Sequence, residues 1–473
     1  MLQPHACHSL RMFRFLPVYG SVLLAASLAA QTGATRPRPM STADQTTLKR
    51  ALDTYDQGDL KSSEPLLADL AKRYPGSYPA NEALGSLYAE TDRTELALPY
   101  LRRACALSPR EAIAHANLGA AYLKLNKPVE AVPELRLALK SDPHNAATQS
   151  NLGQALMLNL QPADAAKVFA AASTLQPADS GLKYNLALAL YEGGSIKEAS
   201  TALSSIPATD ATDQTEALGG DLDEKLGHFE QAIAHYQAAA KMNPSDANLY
   251  ALTLELMRHW TWSEAIEIAS YGASRYPGST HFEVAKGIAQ YGGQKYPEAI
   301  VTLSKLLQRE PENALYADLL GRSCSAIAED ASAECIGLSE FSHRHPENAQ
   351  AATYAAVSLL HRPSAEQDNP EVKRLLDQAI AANPNLPEAY FQLGVLDQSQ
   401  TEWKESVAPL QRAIEIRQTY PEAHYRLSRA YAHLGMKAEA QQEIALQQKY
   451  SQQAKDTVNA HLQEVVTFLV KSN

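Results

Sequence analysis

Residues that could do chemistry are sparse in this chain, and most of them are scattered. Cys324 and Cys335 lie at equal distances from the acidic pair Glu329 and Asp330. If two antiparallel helices turn at that pair, the cysteines face each other, which is the geometry a disulfide needs. An oxidising compartment lets the bond form, and for a loop this short the chain-entropy picture gives about 3 kcal/mol. The other reading is two buried thiols packed between helices. Cys105 has no counterpart and reads as a small core residue. His343 and His345, with His361 downstream, come nearest to a metal-ligand cluster among 14 histidines, but at a solvated helix end they read as surface residues. Trp260 and Trp262 offer either an aromatic platform for a sugar or filling for a turn. Glycine-rich phosphate loops, nucleophile elbows, His-Glu-x-x-His helices and Cys-x-x-Cys pairs are absent from the sequence. The expectation is no catalytic residue, no metal and no cofactor.

One polar column stands apart. Asn117, Asn151 and Asn185 follow each other at a step of 34 residues. Asparagine inside a helix costs about half a kcal/mol against alanine, so three in register call for a compensating contact. An amide both donates and accepts, which suits a contact between helices or recognition of a peptide main chain.

The same step of 34 runs through the residues that must position this column: Pro75, Pro109, Pro143 and Pro177; Ala97, Ala131, Ala165 and Ala199; Leu84, Leu118, Leu152 and Leu186; Gly85, Gly119 and Gly153. Self-similarity at a fixed period marks an array of one small unit that cannot bury its apolar face alone. Within residues 112–145, Leu118, Ala121, Tyr122 and Leu125 mark one helical face before Asn126, Lys127 and Pro128 interrupt. Val129, Val132, Leu135, Ala138 and Leu139 form a second stripe that ends at Pro143. Two amphipathic helices with a breaker between them read as an antiparallel hairpin. Gly119 and Ala131 are small where the two backbones approach.

The residues Asn117, Leu118, Gly119, Tyr122, Ala131, Leu135, Ala138 and Pro143 resemble the tetratricopeptide repeat (TPR), and residues 78–179 follow that pattern without a gap. The resemblance implies an all-α fold, a right-handed α-solenoid (superhelix) of about twelve helical hairpins. It also implies that the first helices line a concave groove holding a protein or peptide ligand. On that surface it places Asn117, Asn151 and Asn185 as a ladder for peptide main chain, with Tyr184, Tyr191, Gln154 and Lys124 beside them. Toward the far end, Tyr425, Arg426 and Arg429 form a basic patch that could take a carboxylate.

Carrying the register outward predicts units one to five over residues 44–206 and units six to the first half of ten over 213–362. An insertion follows at 363–370, the remaining units run over 371–448, and a capping helix and tail occupy 449–473, with Val458, Leu462, Val465, Val466 and Leu469 as its apolar positions. The breaks near Pro207 and Pro363 are places where the array could bend or divide into sub-arrays. They are not read as domain boundaries, because a stacked repeat needs its neighbours to cover its open face.

Residues 1–30 differ in kind. Arg11 and Arg14 precede an apolar run that closes in small residues near Ala29 and Ala30, which fits a secretory signal peptide starting at Met1 or Met12. An uncleaved anchor is the alternative, and residues 31–43 read as a flexible linker. Cys7 precedes the apolar run, so it is not placed like a lipoprotein cysteine. Cleavage would leave a periplasmic or secreted chain with no membrane span and take the formal charge from −11 to −13. That acidity argues against nucleic acid, whose phosphates need clustered Lys and Arg. The leading expectation is a non-enzymatic scaffold that binds proteins or peptides. A structural part of a cell-envelope assembly or of polysaccharide or protein export is the alternative. A glycan-acting enzyme or enzyme accessory rests on the tryptophans alone.

Overall fold

The computed structural model describes residues 39–327, 333–361 and 365–454. Among these the chain forms 24 α-helices, two single-turn 3-10 helices and no strand. The first five hairpins are α1 (Thr42–Asp56) with α2 (Leu60–Arg73), α3 (Tyr78–Glu90) with α4 (Thr94–Leu107), α5 (Ala112–Lys124) with α6 (Pro128–Ser141), α7 (Ala146–Leu158) with α8 (Pro162–Leu175), and α9 (Ser180–Glu192) with α10 (Ile196–Ser204). Next come α11 (Asp213–Leu226) and α12 (Phe229–Met242), α13 (Asp246–Arg258) and α14 (Trp262–Arg275), α15 (Thr280–Gly292) and α16 (Tyr296–Arg309), and α17 (Ala314–Ser325) and α18 (Gly337–Arg344). The last are α19 (Ala349–Leu360) with α20 (Ala365–Ala382), α21 (Pro387–Ser399) with α22 (Val407–Ile416), and α23 (Pro421–His433) with α24 (Lys437–Ala454). The fold class is all-α, built as an α-solenoid.

The chain divides into two compact units, one through His235 and the other from Tyr236. The division falls inside α12, about thirty residues past the short hairpin at Pro207 and far from Pro363. In each unit the hairpins stack in sequence order.

A glycine paired with a leucine or phenylalanine 16 residues on shows why successive helices pack closely. A Cβ added at Gly85 would lie 2.7 Å from Leu101 Cγ, at Gly119 2.5 Å from Leu135 Cγ, and at Gly153 2.6 Å from the Phe169 ring. Gly287 with Leu303 and Gly394 with Leu410 repeat the arrangement in the second unit. Each large partner is wholly enclosed. The helix-breaking turn between the two helices of a hairpin is equally regular. A residue with left-handed backbone stands there at Gly58, Asp92, Asn126, Leu160, Gly194, Gly227, Trp260, Gln294, Thr401 and Gly435.

Two boundaries differ from those read along the sequence. α20 starts at Ala365 and runs through Pro370, so most of the segment 363–370 is helix, at the expense of one i to i−4 hydrogen bond. α24 continues without a break past Lys449 to Ala454. The apolar positions from Val458 onward, and residues 1–30 of the expected leader, lie outside the described residues. No described helix is long and apolar enough to cross a membrane.

Candidate functional site

The asparagine column comes first, because its members have unlike surroundings. Asn117 on α5 donates through Nδ2 to Glu82 Oε1 and to Ser86 Oγ on α3, both at 2.9 Å. Ser86 Oγ donates to the same carboxylate at 3.0 Å. Burial pushes the Glu82 carboxyl up, and these two donors work against that shift. Lys124 also reaches back to hairpin two, donating to the Ala89 carbonyl at 2.7 Å and pairing with Asp92 at 3.3 Å.

Asn151 on α7 is wholly enclosed, and neither amide atom has a partner among the described residues. The step of 34 explains this, since the positions that Glu82 and Ser86 hold for Asn117 are occupied for Asn151 by Ala116 and Ala120. Gln154 is buried beside it with Oε1 unpaired. Asn185 on α9 is half-buried. Tyr184 and Tyr191 pack against the cluster of Ala187, Leu218 and Leu222, and burial pushes the Tyr184 phenol up to about 12. So the column does not form one continuous polar surface: one amide is tied to its neighbour repeat, one is sealed in, and one is partly open.

A second polar column was missed in the sequence, although the same step of 34 marks it. Asn81 donates to the Pro75 carbonyl at 3.1 Å, His115 Nε2 to the Pro109 carbonyl at 3.2 Å, and Gln149 to the Pro143 carbonyl at 2.9 Å. Each side chain closes the turn at the proline six residues before it. His424 does the same with Gln418 at 3.0 Å. Both histidines also place Nδ1 against a glutamate of the following helix, Glu134 at 2.6 Å and Glu443 at 2.5 Å. Cys105, buried beside this region, has its thiol pushed up to about 12 by burial, which does not suit a nucleophile.

In the first unit the break at Pro207 opens a cavity of about 250 Å³. α10 has nine residues where α4, α6 and α8 have 14, so it covers less of the next hairpin. Ser200, Leu203, Ile206, Leu222, Glu216 and Asp223 are among its walls, with His235. His235 holds the place that Leu101, Leu135 and Phe169 hold elsewhere, 16 residues after a glycine. A Cβ at Gly219 would lie 3.0 Å from its Nδ1. Nδ1 meets Glu216 at 2.7 Å, while Nε2 lies 3.4 Å from Asp223.

The second unit carries the basic patch. Tyr425 and Arg429 on α23 are exposed and Arg426 is half-buried. Arg429 lies over the Trp403 ring at 5.6 Å. Burial, and then the neighbouring Arg429 cation, hold the Arg426 guanidinium below its usual range. Among the described residues neither arginine has a carboxylate partner. Cys324 and Cys335 are joined by a disulfide with Cα atoms 6.3 Å apart. Cys335 sits on a 3-10 turn over Ala333–Ile336 that precedes α18, and not on the second helix itself. His343 and His345 turn to different carboxylates, Glu371 at 3.4 Å and Glu312 at 2.8 Å, so they do not converge with His361. Trp260 takes the left-handed turn position, and Trp262 packs onto Gly292 and Gly293.

Family models described as tetratricopeptide repeat match residues 48–112, 90–146 and 218–279, and a further one matches 156–219. No curated protein matches the sequence. Among solved structures, Pseudomonas aeruginosa pilF is similar at 20% identity and a TM-score of 0.37, over 44% of this chain and 94% of that one. YrrB, a TPR protein with an unusual peptide-binding site, is similar at 19% identity and 0.36, over 39% and 95%. Naa15/Naa10 bound to HypK-THB is similar at 13% identity and 0.35, over 86% and 68%. Residues 48–146 and 156–279 of this chain thus match models of the tetratricopeptide repeat.

Proposed function

We propose that this chain is a non-enzymatic scaffold, exported to the periplasm or cell exterior, that holds a protein or peptide partner. Tetratricopeptide repeats commonly serve as protein interaction scaffolds, and a stack of hairpins offers long shared surfaces where a globular enzyme offers one pocket. The observation that carries the reading is the arginine pair on α23. Arg426 is half-buried beside a second cation with no carboxylate to meet it among the described residues. A carboxylate from a partner, at a chain terminus or an acidic side chain, relieves that repulsion through charge-assisted hydrogen bonds. Exposed Tyr425 supplies an apolar flank.

The test begins with crosslinking and mass spectrometry on an envelope fraction to identify the partner. Binding of the partner's segment is then compared between the wild type and the double variant Arg426→Gln/Arg429→Gln. The expected result is at least about tenfold weaker binding, since charge-assisted contacts contribute about 1.5–3 kcal/mol, and a wild-type affinity that falls with added salt. Unchanged affinity would sink the carboxylate site. A chain that crosslinks to nothing in any envelope fraction would sink the scaffold.

A further inference from the structure

We propose that Cys105, His115 and Glu134 bind a thiophilic divalent cation of the zinc class, clamping hairpin two to hairpin three. Cys105 Sγ, a ring nitrogen of His115 and a carboxylate oxygen of Glu134 all lie within 4.8 Å of one another. They come from three helices, α4, α5 and α6, and from two successive repeats. Thiolate, imidazole and carboxylate are the ligand types that zinc takes.

The hydrogen bonds of His115 point the same way. The Pro109 carbonyl can only accept, so Nε2 carries a proton toward it. Nδ1 then faces Glu134 Oε2 across 2.6 Å, and two electron-rich atoms that close need a positive centre to share. A metal ion supplies such a centre once the two atoms part to the separation its bonds require. Zinc-binding histidines regularly donate their other ring N–H to a backbone carbonyl, as Nε2 does here.

The chain contains its own control. His424 repeats both contacts, to Gln418 and to Glu443, but the residue ten positions before it is Ile414 where His115 has Cys105. Among the described residues the centre at His424 has two ligands, His424 and Glu443. At His115 the thiol adds a third, and Cys⁻, Glu⁻ and neutral His around a 2+ ion leave no net charge in a site where Cys105 and His115 are buried. Tetrahedral bonds of about 2.3 Å to sulfur and about 2.0 Å to nitrogen and oxygen hold S and N about 3.5 Å and N and O about 3.3 Å apart, so binding opens the 2.6 Å contact between His115 and Glu134. Glu134, a quarter exposed, is the side from which the ion enters.

The experiment uses the full chain with Cys7→Ser, so that Cys105 is the one thiol outside the disulfide. After chelator treatment, the protein is titrated with Co²⁺, followed by thiolate-to-cobalt charge-transfer absorption, and with Zn²⁺, followed by melting temperature. One equivalent of Co²⁺ should bring up the band. Cys105→Val should abolish it, and His115→Gln or Glu134→Gln should weaken binding by more than about tenfold. Zinc should raise the melting temperature of the parent and of His424→Gln equally, but not that of Cys105→Val. Absence of the band, or zinc stabilisation that survives Cys105→Val with normal helical circular dichroism, overturns the proposal.

Discussion

Two asparagines in one sequence column should respond in opposite ways to one substitution. Asn117→Leu takes a donor from the enclosed Glu82 carboxylate and should lower stability by about 1–3 kcal/mol, whereas Asn151→Leu removes an enclosed amide that has no partner and should raise it by about 1 kcal/mol. Urea unfolding midpoints of the two variants decide the matter, and equal shifts would refute it. The column itself was legible in the sequence, but its two environments were not, because they depend on the identities at positions 82, 86, 116 and 120 of the preceding repeat. The turn-closing column of Asn81, His115 and Gln149 escaped notice because its members share a hydrogen-bonding role and no residue type. Asp397 on α21 gives a pH dependence of known sign. Burial raises its carboxyl from 3.8 to about 6, with Glu402 and Glu405 adding to the shift and Lys373 opposing it. A folded-state value above the unfolded one means stability that is full below the unfolded value and is lost as pH rises through the folded one. Asp397→Asn should therefore melt higher than the wild type at about pH 7 and show a smaller advantage at about pH 4. An advantage that grows toward acid would contradict the assignment.

The turn within each hairpin asks for one left-handed residue, and the chain meets that demand unevenly. Leu160 holds φ +55° with 89% of its surface exposed, while Gly194, one repeat later, holds φ +79° without strain. Leu160→Gly should raise stability by about 1 kcal/mol, because a branched side chain in this region is strained and here makes little packing in return. A lower melting temperature for that variant would show that the turn is held by something other than backbone conformation. Helix number and pairing were legible because apolar stripes and prolines recur at one spacing. The start of α20 was not, since Pro370 reads as a stop signal although the helix passes through it. The division inside α12 was equally hidden, as no proline, glycine or change of composition marks the step from His235 to Tyr236.

An array of nearest-neighbour contacts distributes damage locally. Gly119→Ala forces a Cβ to 2.5 Å from Leu135 Cγ and should destabilise by about 1–3 kcal/mol. Native-state hydrogen exchange should then quicken in hairpins two to four and stay unchanged in eleven and twelve. Uniform acceleration along the chain would mean a single cooperative block. The overall class could be read from the first few repeats, but no repeat announces what it binds, because binding residues sit on surfaces where helix packing leaves residue type unconstrained. The tie between Asn117 and the pair Glu82 and Ser86 has a further consequence for how such a gene can change. These modules are not interchangeable beads: a tandem duplication of hairpin three would set a new amide against Ala116 and Ala120, the same poor match that Asn151 now bears, whereas a copy of hairpin two inserted before it would present the acid and hydroxyl again. Recombination that lengthens this chain is thus constrained by the order of its copies as well as by their period.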